Sequence, residues 1–213
     1  MSLLSRLAEK SWLTPGGERF AEPADYRPAA ATVGLYVYFG VAAVIFSLIS
    51  AAYLMRMGMG MPGMEHGPGG DWRPMPEPPL LWINTAILAV SSLVWEAARR
   101  AARRDAWDQM RLPTLIGGVI GLAFLAGQLL LWRQYQAAGY FLAANPANAF
   151  FYLLTAVHGL HLAGGLVACA RTIGQMDAQA DRTRVARNVR LCAVYWHFLL
   201  LVWVLLIGLL IST

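Results

Sequence analysis

Apolar residues occur in five long stretches separated by short polar segments. The stretches cover about residues 31–55, 79–98, 114–132, 149–170 and 191–213. A helix needs roughly 20 apolar residues to cross the hydrocarbon core of a bilayer, which is about 30 Å thick. The short apolar and polar alternation that is typical of barrel strands is missing from these stretches. The pattern therefore predicts an all-α integral membrane bundle of five transmembrane helices.

The composition supports a membrane protein and argues against a soluble one. Of the 213 residues 58% are hydrophobic and only 14% are charged, and the mean hydropathy is +0.49. Soluble domains carry about 25% charged residues. Residues 1–30 are polar and contain prolines, so we expect a tail there, followed by one membrane domain over residues 31–213. Cys169 and Cys192 lie near the same end of the last two helices and are expected to be free thiols.

Basic residues are unevenly distributed between alternate connecting segments. The tail and residues 99–111 and 171–190 hold 14 of the 17 lysines and arginines. Because positively charged segments stay on the cytoplasmic side, the N-terminus is predicted to be cytoplasmic and the C-terminus external. We expect residues 99–111 and 171–190 to be cytoplasmic loops. The net charge of +5 then reflects membrane topology, and no nucleic acid partner is predicted.

Three histidines fall inside the predicted helices, where a polar side chain is costly. His158 and His161 share one side of the fourth helix, and the helix rise places His161 and His197 at similar depths, so these two could meet. The pattern is compatible with hydrogen bonding inside the bundle, with axial haem ligation, and with metal ligation or proton handling. Hydrogen bonding is favoured, because haem needs space between opposed helices and bulky aromatic residues surround these positions.

Other polar and small residues in the helices indicate packing. Asn84 and Gln128 are expected to form hydrogen bonds between helices. Gly117 and Gly121 have the spacing that allows two helix backbones to approach closely. We therefore predict that these four residues hold the bundle together.

The sequence contains no recognisable catalytic set. It lacks the pattern of paired intramembrane carboxylates, of a Ser-His-Asp arrangement and of a glycine-rich phosphate loop. Glu96 is near the end of an apolar stretch and close to Arg99. We expect the Glu96 carboxylate to be charged and to reach water at the membrane interface, and we favour this role over that of a proton relay.

The connection after the first helix is rich in methionine. The segment from Met55 to His66 holds five methionines. Thioether sulfur selects Cu(I), so weak copper binding is one hypothesis for this segment. The alternative is a flexible loop that uses methionine as an adaptable apolar residue.

Two sequence blocks in the last third of the chain resemble a known membrane protein family. The first is FFYLLTAVHGLH at residues 150–161, and the second is YWHF at residues 195–198. They resemble the signature of cytochrome c oxidase subunit III, and residues 31–213 are similar to the five-helix form of that family. The resemblance implies a set of motif residues that hydrogen-bond between helices: Asn84, Trp95, Gln128, His158, Gly159, His161, Tyr195, Trp196, His197 and Trp203.

The resemblance implies a non-catalytic accessory subunit of a terminal haem-copper oxidase in a bacterial inner membrane. No cofactor is expected on this chain, and haem and copper are expected on partner subunits. The implied partners are the catalytic subunit I, the other oxidase subunits, and membrane phospholipids. Such a subunit stabilises the catalytic subunit, lines a lipid-filled cleft for oxygen, and supports proton uptake.

The chain departs from the family pattern at carboxylate positions. An apolar stretch at residues 41–43 stands where many members have a buried carboxylate. Leu131 precedes Trp132 in place of a glutamate, and Leu199 or Leu200 stands where an aspartate often follows the YWHF block. These differences favour a structural and lipid-binding role. Two alternatives stay open: the equivalent subunit of a quinol oxidase or nitric oxide reductase system, and a small haem-binding membrane cytochrome.

Overall fold

A computed structural model describes residues 29–58 and 76–212, and this part of the chain forms five helices. All five are long and apolar enough to cross a membrane, which confirms the predicted fold class. In chain order they are α1 (Ala30–Met57), α2 (Pro79–Arg103), α3 (Trp107–Ala137), α4 (Pro146–Asp177) and α5 (Arg182–Ile211).

The chain divides into two compact units, residues 1–34 and residues 35–213. Of the first unit, the structure describes only the beginning of α1. The predicted tail over residues 1–30 lies almost wholly outside the described residues, so its boundary stays a prediction. The fold and the contacts below are those of the second unit.

The helices begin at residues suited to a helix N-terminus. Pro79 and Pro146 occupy the first turns of α2 and α4, where a missing backbone N–H is harmless. The side chain of Asn145 accepts a hydrogen bond from the Ala147 N–H, and Asp181 accepts one from the Thr183 N–H. Each cap satisfies one of the unpaired donors of its helix.

The two basic connections are far shorter than expected. The prediction of loops over residues 99–111 and 171–190 was wrong, because α2 continues to Arg103, α3 begins at Trp107, and α4 and α5 are separated only by residues 178–181. Arginine and alanine are good helix formers and are frequent in residues 99–103 and 182–190, so α2 and α5 extend beyond their apolar stretches. Asp105 and Gln179 adopt positive φ angles of 51° and 48° in the tight turns that remain.

These two turns lie at one end of the bundle. Arg111 of α3 forms an ion pair of 2.7 Å with Asp177 of α4, and the Arg182 guanidinium of α5 lies 5.3 Å from the centre of the Trp107 ring. Arginines of α2 flank the first turn. We call this end of helices α2 to α5 the arginine-rich end.

Helices α2 to α5 pack around a core of large aromatic and aliphatic side chains. Helix α2 packs against α3 and α5, and α4 packs against the same two helices. Helix α1 contacts α5 through aromatic side chains: the rings of Phe39 and Phe198 stack at 4.3 Å, and the hydroxyls of Tyr38 and Tyr195 are 3.2 Å apart. Both thiols, of Cys169 and Cys192, are free and buried, as expected.

Glycines create room for side chains in the core, whereas the sequence suggested close approach of two backbones. A Cβ atom on Gly117 would lie 2.7 Å from the Trp95 ring nitrogen, and one on Gly121 would lie 2.7 Å from the Trp196 ring. A Cβ atom on Gly165 of α4 would lie 3.1 Å from the Trp196 ring. The Trp196 indole is fully buried, and its ring centre lies 4.9 Å from that of Trp95. One α5 side chain thus contacts α2, α3 and α4; we call this arrangement the Trp196 niche.

Candidate functional site

The three intramembrane histidines occupy three separate environments. His158 is fully buried, with its ring 5.0 Å from Trp203 and 5.9 Å from Phe124. Neither ring nitrogen of His158 has a hydrogen-bond partner among the described residues. The expected hydrogen bond between helices is therefore replaced here by packing against aromatic rings.

His161 uses its own helix and the aromatic face of α1. Its Nδ1 atom lies 2.7 Å from the Val157 carbonyl oxygen, and its ring centre lies 5.3 Å from that of Phe46. The Tyr195 hydroxyl donates a hydrogen bond of 2.6 Å to the His161 carbonyl. The backbone carbonyl of His161, and not its imidazole, thus accepts the hydrogen bond that joins α5 to α4.

His197 points toward α2, so the expectation that it could meet His161 was wrong. The His197 Nδ1 atom is 2.5 Å from the Ser92 hydroxyl, and Nε2 is 3.2 Å from a Glu96 carboxylate oxygen. The side of α5 that carries His197 faces α2, whereas His161 faces α1 and its own helix. Ser92 is buried, so its hydroxyl is closed to a substrate.

Glu96 also binds two arginines of its own helix. Its carboxylate accepts hydrogen bonds from Arg99 Nε at 2.6 Å and from Arg100 Nε at 3.1 Å. The i,i+3 and i,i+4 spacings predict these pairs, whereas nothing in the sequence predicts the contact with His197. We call Ser92, Glu96, Arg99, Arg100 and His197 the polar junction of α2 and α5.

A second polar cluster joins α2 to α3. The Asn84 side-chain nitrogen donates to the Phe124 carbonyl and to the Gln128 side-chain oxygen, both at 3.3 Å. At the next residue of α2, the Trp203 indole N–H of α5 donates to the Thr85 hydroxyl at 3.0 Å. Asn84 and Gln128 thus form a hydrogen bond between α2 and α3.

Trp95 and Trp196 were expected to hydrogen-bond between helices, but their indole nitrogens are buried without a hydrogen-bond partner among the described residues. Trp95, Tyr195 and Trp196 are buried in the core, and a Cβ atom on Gly159 would make only an ordinary contact with Leu125, at 3.7 Å. Close packing within the described part of the chain therefore does not require a glycine at position 159.

Replacing Gly127 tests the Asn84 cluster. A methyl group at this position would overlap the Asn84 side-chain oxygen, so Gly127→Ala should lower the free energy of unfolding by about 1–3 kcal/mol, the usual cost of overpacking. Denaturation of the purified chain in mixed detergent micelles measures the change. The control is Gly159→Ala, which adds the same methyl at an ordinary contact distance. Equal effects of the two changes would contradict the role given to Gly127.

The copper hypothesis falls mostly outside the structure. Met55 and Met57 belong to α1, and the rest of the segment up to His66 lies outside the described residues. Within residues 29–58 and 76–212, no three His, Cys, Asp or Glu side chains come together as a metal site would require. Copper binding by this segment stays a prediction.

Comparison with known proteins places this bundle in a family. The family model described as cytochrome c oxidase subunit III matches residues 32–211, which include all five helices almost completely. The chain belongs to the cytochrome c oxidase subunit III family. The match contains the histidines, the Trp196 niche and both polar clusters.

Curated relatives of this subunit III chain are similar over most of their length. Cytochrome c oxidase subunit 3 of Thermostichus vulcanus is 31% identical over 196 residues, which cover 88% of this chain and 89% of the relative. Cytochrome c oxidase subunit 3 of Synechocystis is 29% identical and covers 81% of this chain and 71% of its own. Cytochrome bo(3) ubiquinol oxidase subunit 3 of Pseudomonas aeruginosa is 24% identical, with 80% and 79% covered.

Proposed function

We propose that this chain is the non-catalytic third subunit of a terminal haem-copper oxidase in a bacterial inner membrane. The observation that carries the proposal is the subunit III match across the whole five-helix region. In this assignment the partners are the catalytic subunit I and the other oxidase subunits, and these hold the haem and copper. The alternation of basic segments supports a cytoplasmic N-terminus and an external C-terminus.

The surface of α1 supports a role in holding partners and lipids. Tyr36, Val37, Val41 and Leu48 are well exposed on this helix, at 56–66% of their surface. In a membrane such a face contacts acyl chains or another subunit. It is the surface that we assign to the catalytic subunit and to the lipid-lined path for oxygen, which in turn supports stable turnover and proton uptake.

Relatives with both donor types match this chain, since some are named cytochrome c oxidase and one is named ubiquinol oxidase. The identity to the cytochrome c oxidase relative of Thermostichus vulcanus is greater than that to the ubiquinol oxidase relative, which favours cytochrome c as the electron donor of the complex. The quinol oxidase subunit is the alternative.

The haem-binding alternative finds little support in the histidine geometry. Axial ligation by two histidines requires imidazoles that face each other across a cavity. His158 and His161 are on one helix, and His197 is already bonded to Ser92 and Glu96. Aromatic rings occupy the space around His158.

Purification from native membrane tests the assignment. A tagged chain extracted in mild detergent should bring haem- and copper-containing subunits with it, and the complex should reduce oxygen. The chain purified alone should show no Soret band. A Soret band that persists in the isolated chain and disappears in His161→Ala would instead establish a haem-binding cytochrome.

A further inference from the structure

The polar junction holds two arginine side chains in a fixed pair at the arginine-rich end. Glu96 binds Arg99 and Arg100 through their Nε atoms. No described residue other than Glu96 forms a hydrogen bond or ion pair with either guanidinium. A guanidinium also carries two Nη atoms, which form the fork that binds phosphate. The carboxylate therefore orients two forks and leaves N–H donors available.

The pair is open to the surface just beyond the apolar stretch of α2, which ends near residue 98. The side chain of Arg100 is 70% exposed and that of Arg99 is 24% exposed. Arg100 lies three residues before the end of α2, or about 4.5 Å along the helix axis. His197, whose side chain is 38% exposed, adjoins the pair from α5. Two guanidiniums and one carboxylate leave an excess positive charge at this place.

The surface next to the pair is apolar on the side away from the arginine-rich end. Leu93 lies one turn before Glu96 on α2 and is 71% exposed, and Leu201 lies one turn after His197 on α5 and is 58% exposed. A ligand with a phosphate alone would use only the arginines. A ligand with a phosphate and a long acyl chain would use the arginines and the leucines together.

From this combination we infer that the α2–α5 edge is a binding site for a phospholipid, with its phosphate on Arg99 and Arg100 and an acyl chain along Leu93 and Leu201. Glu96 is a positioning residue in this site, because it acts through the two arginines. An anionic lipid such as phosphatidylglycerol is favoured over a zwitterionic one by the excess positive charge. The site does not depend on the oxidase assignment, since it is built from residues of this chain alone.

Lipid titration of the full-length chain, followed by native mass spectrometry, tests the site. The detergent-purified chain is titrated with phosphatidylglycerol, and in parallel with phosphatidylcholine and with inorganic phosphate. We expect a tight phosphatidylglycerol adduct, and roughly five- to tenfold weaker binding in Arg100→Gln and in Arg99→Gln. Arg100→Lys keeps the charge and loses the fork, so it should also bind more weakly.

The matched control is Arg103→Gln. Arg103 is exposed at the same end of α2 and has no ion-pair partner among the described residues, so its replacement removes one charge without touching the pair. It should leave the adduct nearly unchanged. An equal loss in Arg103→Gln would show general attraction to a basic surface and would overturn the site. Displacement of the lipid by millimolar inorganic phosphate would show that the arginines bind phosphate alone, and this would also overturn the lipid site.

Two other results would overturn the inference as well. One is unchanged phosphatidylglycerol binding in both arginine variants. The other is loss of a partner subunit from the complex in Arg100→Gln while the lipid adduct persists, which would assign the arginines to an acidic residue of that subunit. A failed oxidase assignment would show itself differently, by missing haem-containing partners with the lipid adduct intact.

Discussion

Replacing Trp196 with alanine should cost about 3–5 kcal/mol in the free energy of unfolding, the usual loss for a buried tryptophan. The indole is fully buried, lies tilted against the Trp95 ring at 4.9 Å between ring centres, and packs against Gly121 and Gly165. Its removal leaves a cavity between four helices, and dispersion contacts are a main source of stability in a membrane bundle. Detergent denaturation of the purified chain measures the loss. Retention of the chain in the detergent-extracted complex should fall with it.

Trp82 provides the matched control. It is on α2 and 51% of its surface is exposed. Trp82→Ala removes the same side chain from a position outside the core, so its effect should be a small fraction of that of Trp196→Ala. Similar losses in the two variants would mean that the Trp196 niche has no special part in stability.

Gly121→Leu should destabilise the bundle by about 3 kcal/mol or more, because four new carbon atoms must enter the Trp196 niche. The first of them would already lie 2.7 Å from the indole and 3.2 Å from Leu166. The effect is again measured by detergent denaturation and by retention of the chain in the extracted complex.

The double variant Trp196→Ala with Gly121→Leu makes the test specific. The cavity from the first change offers space to the second, so the combined loss should be smaller than the sum by at least about 1 kcal/mol. Gly164→Leu is the control, since nothing lies within 4 Å of a Cβ atom there, and it should change stability by no more than about 0.5 kcal/mol. Strictly additive losses would contradict direct contact between the two positions.

Hydrophobic length alone was enough to predict the five helices. The bilayer core requires each spanning segment to pair its backbone groups internally, so long apolar stretches have few alternatives to a helix. The ends were less well predicted, as residues 99–103 and 171–177 show. Outside the hydrocarbon, a polar helix and a polar loop have similar hydropathy, and the positive charge there is informative about topology only.

Side-chain partners required the arrangement of the helices. The spacing of Glu96, Arg99 and Arg100 within one helix is visible in the sequence, and so is the shared side of His158 and His161. The two partners of His197, Ser92 and Glu96, are 105 and 101 residues away in the chain. Which residues His197 meets depends on how α5 is rotated against α2, and no local pattern contains that rotation.

The sequence by itself determined the membrane class, the number of helices and the family motif, because hydropathy and residue identity are local properties. Only the tertiary structure decided that Glu96 meets His197, that His158 packs among rings, and that Gly121 makes room for an indole. The physical reason is that a membrane bundle is specified by close packing between helices. Packing depends on the rotation and spacing of whole helices, and these emerge from all their contacts together.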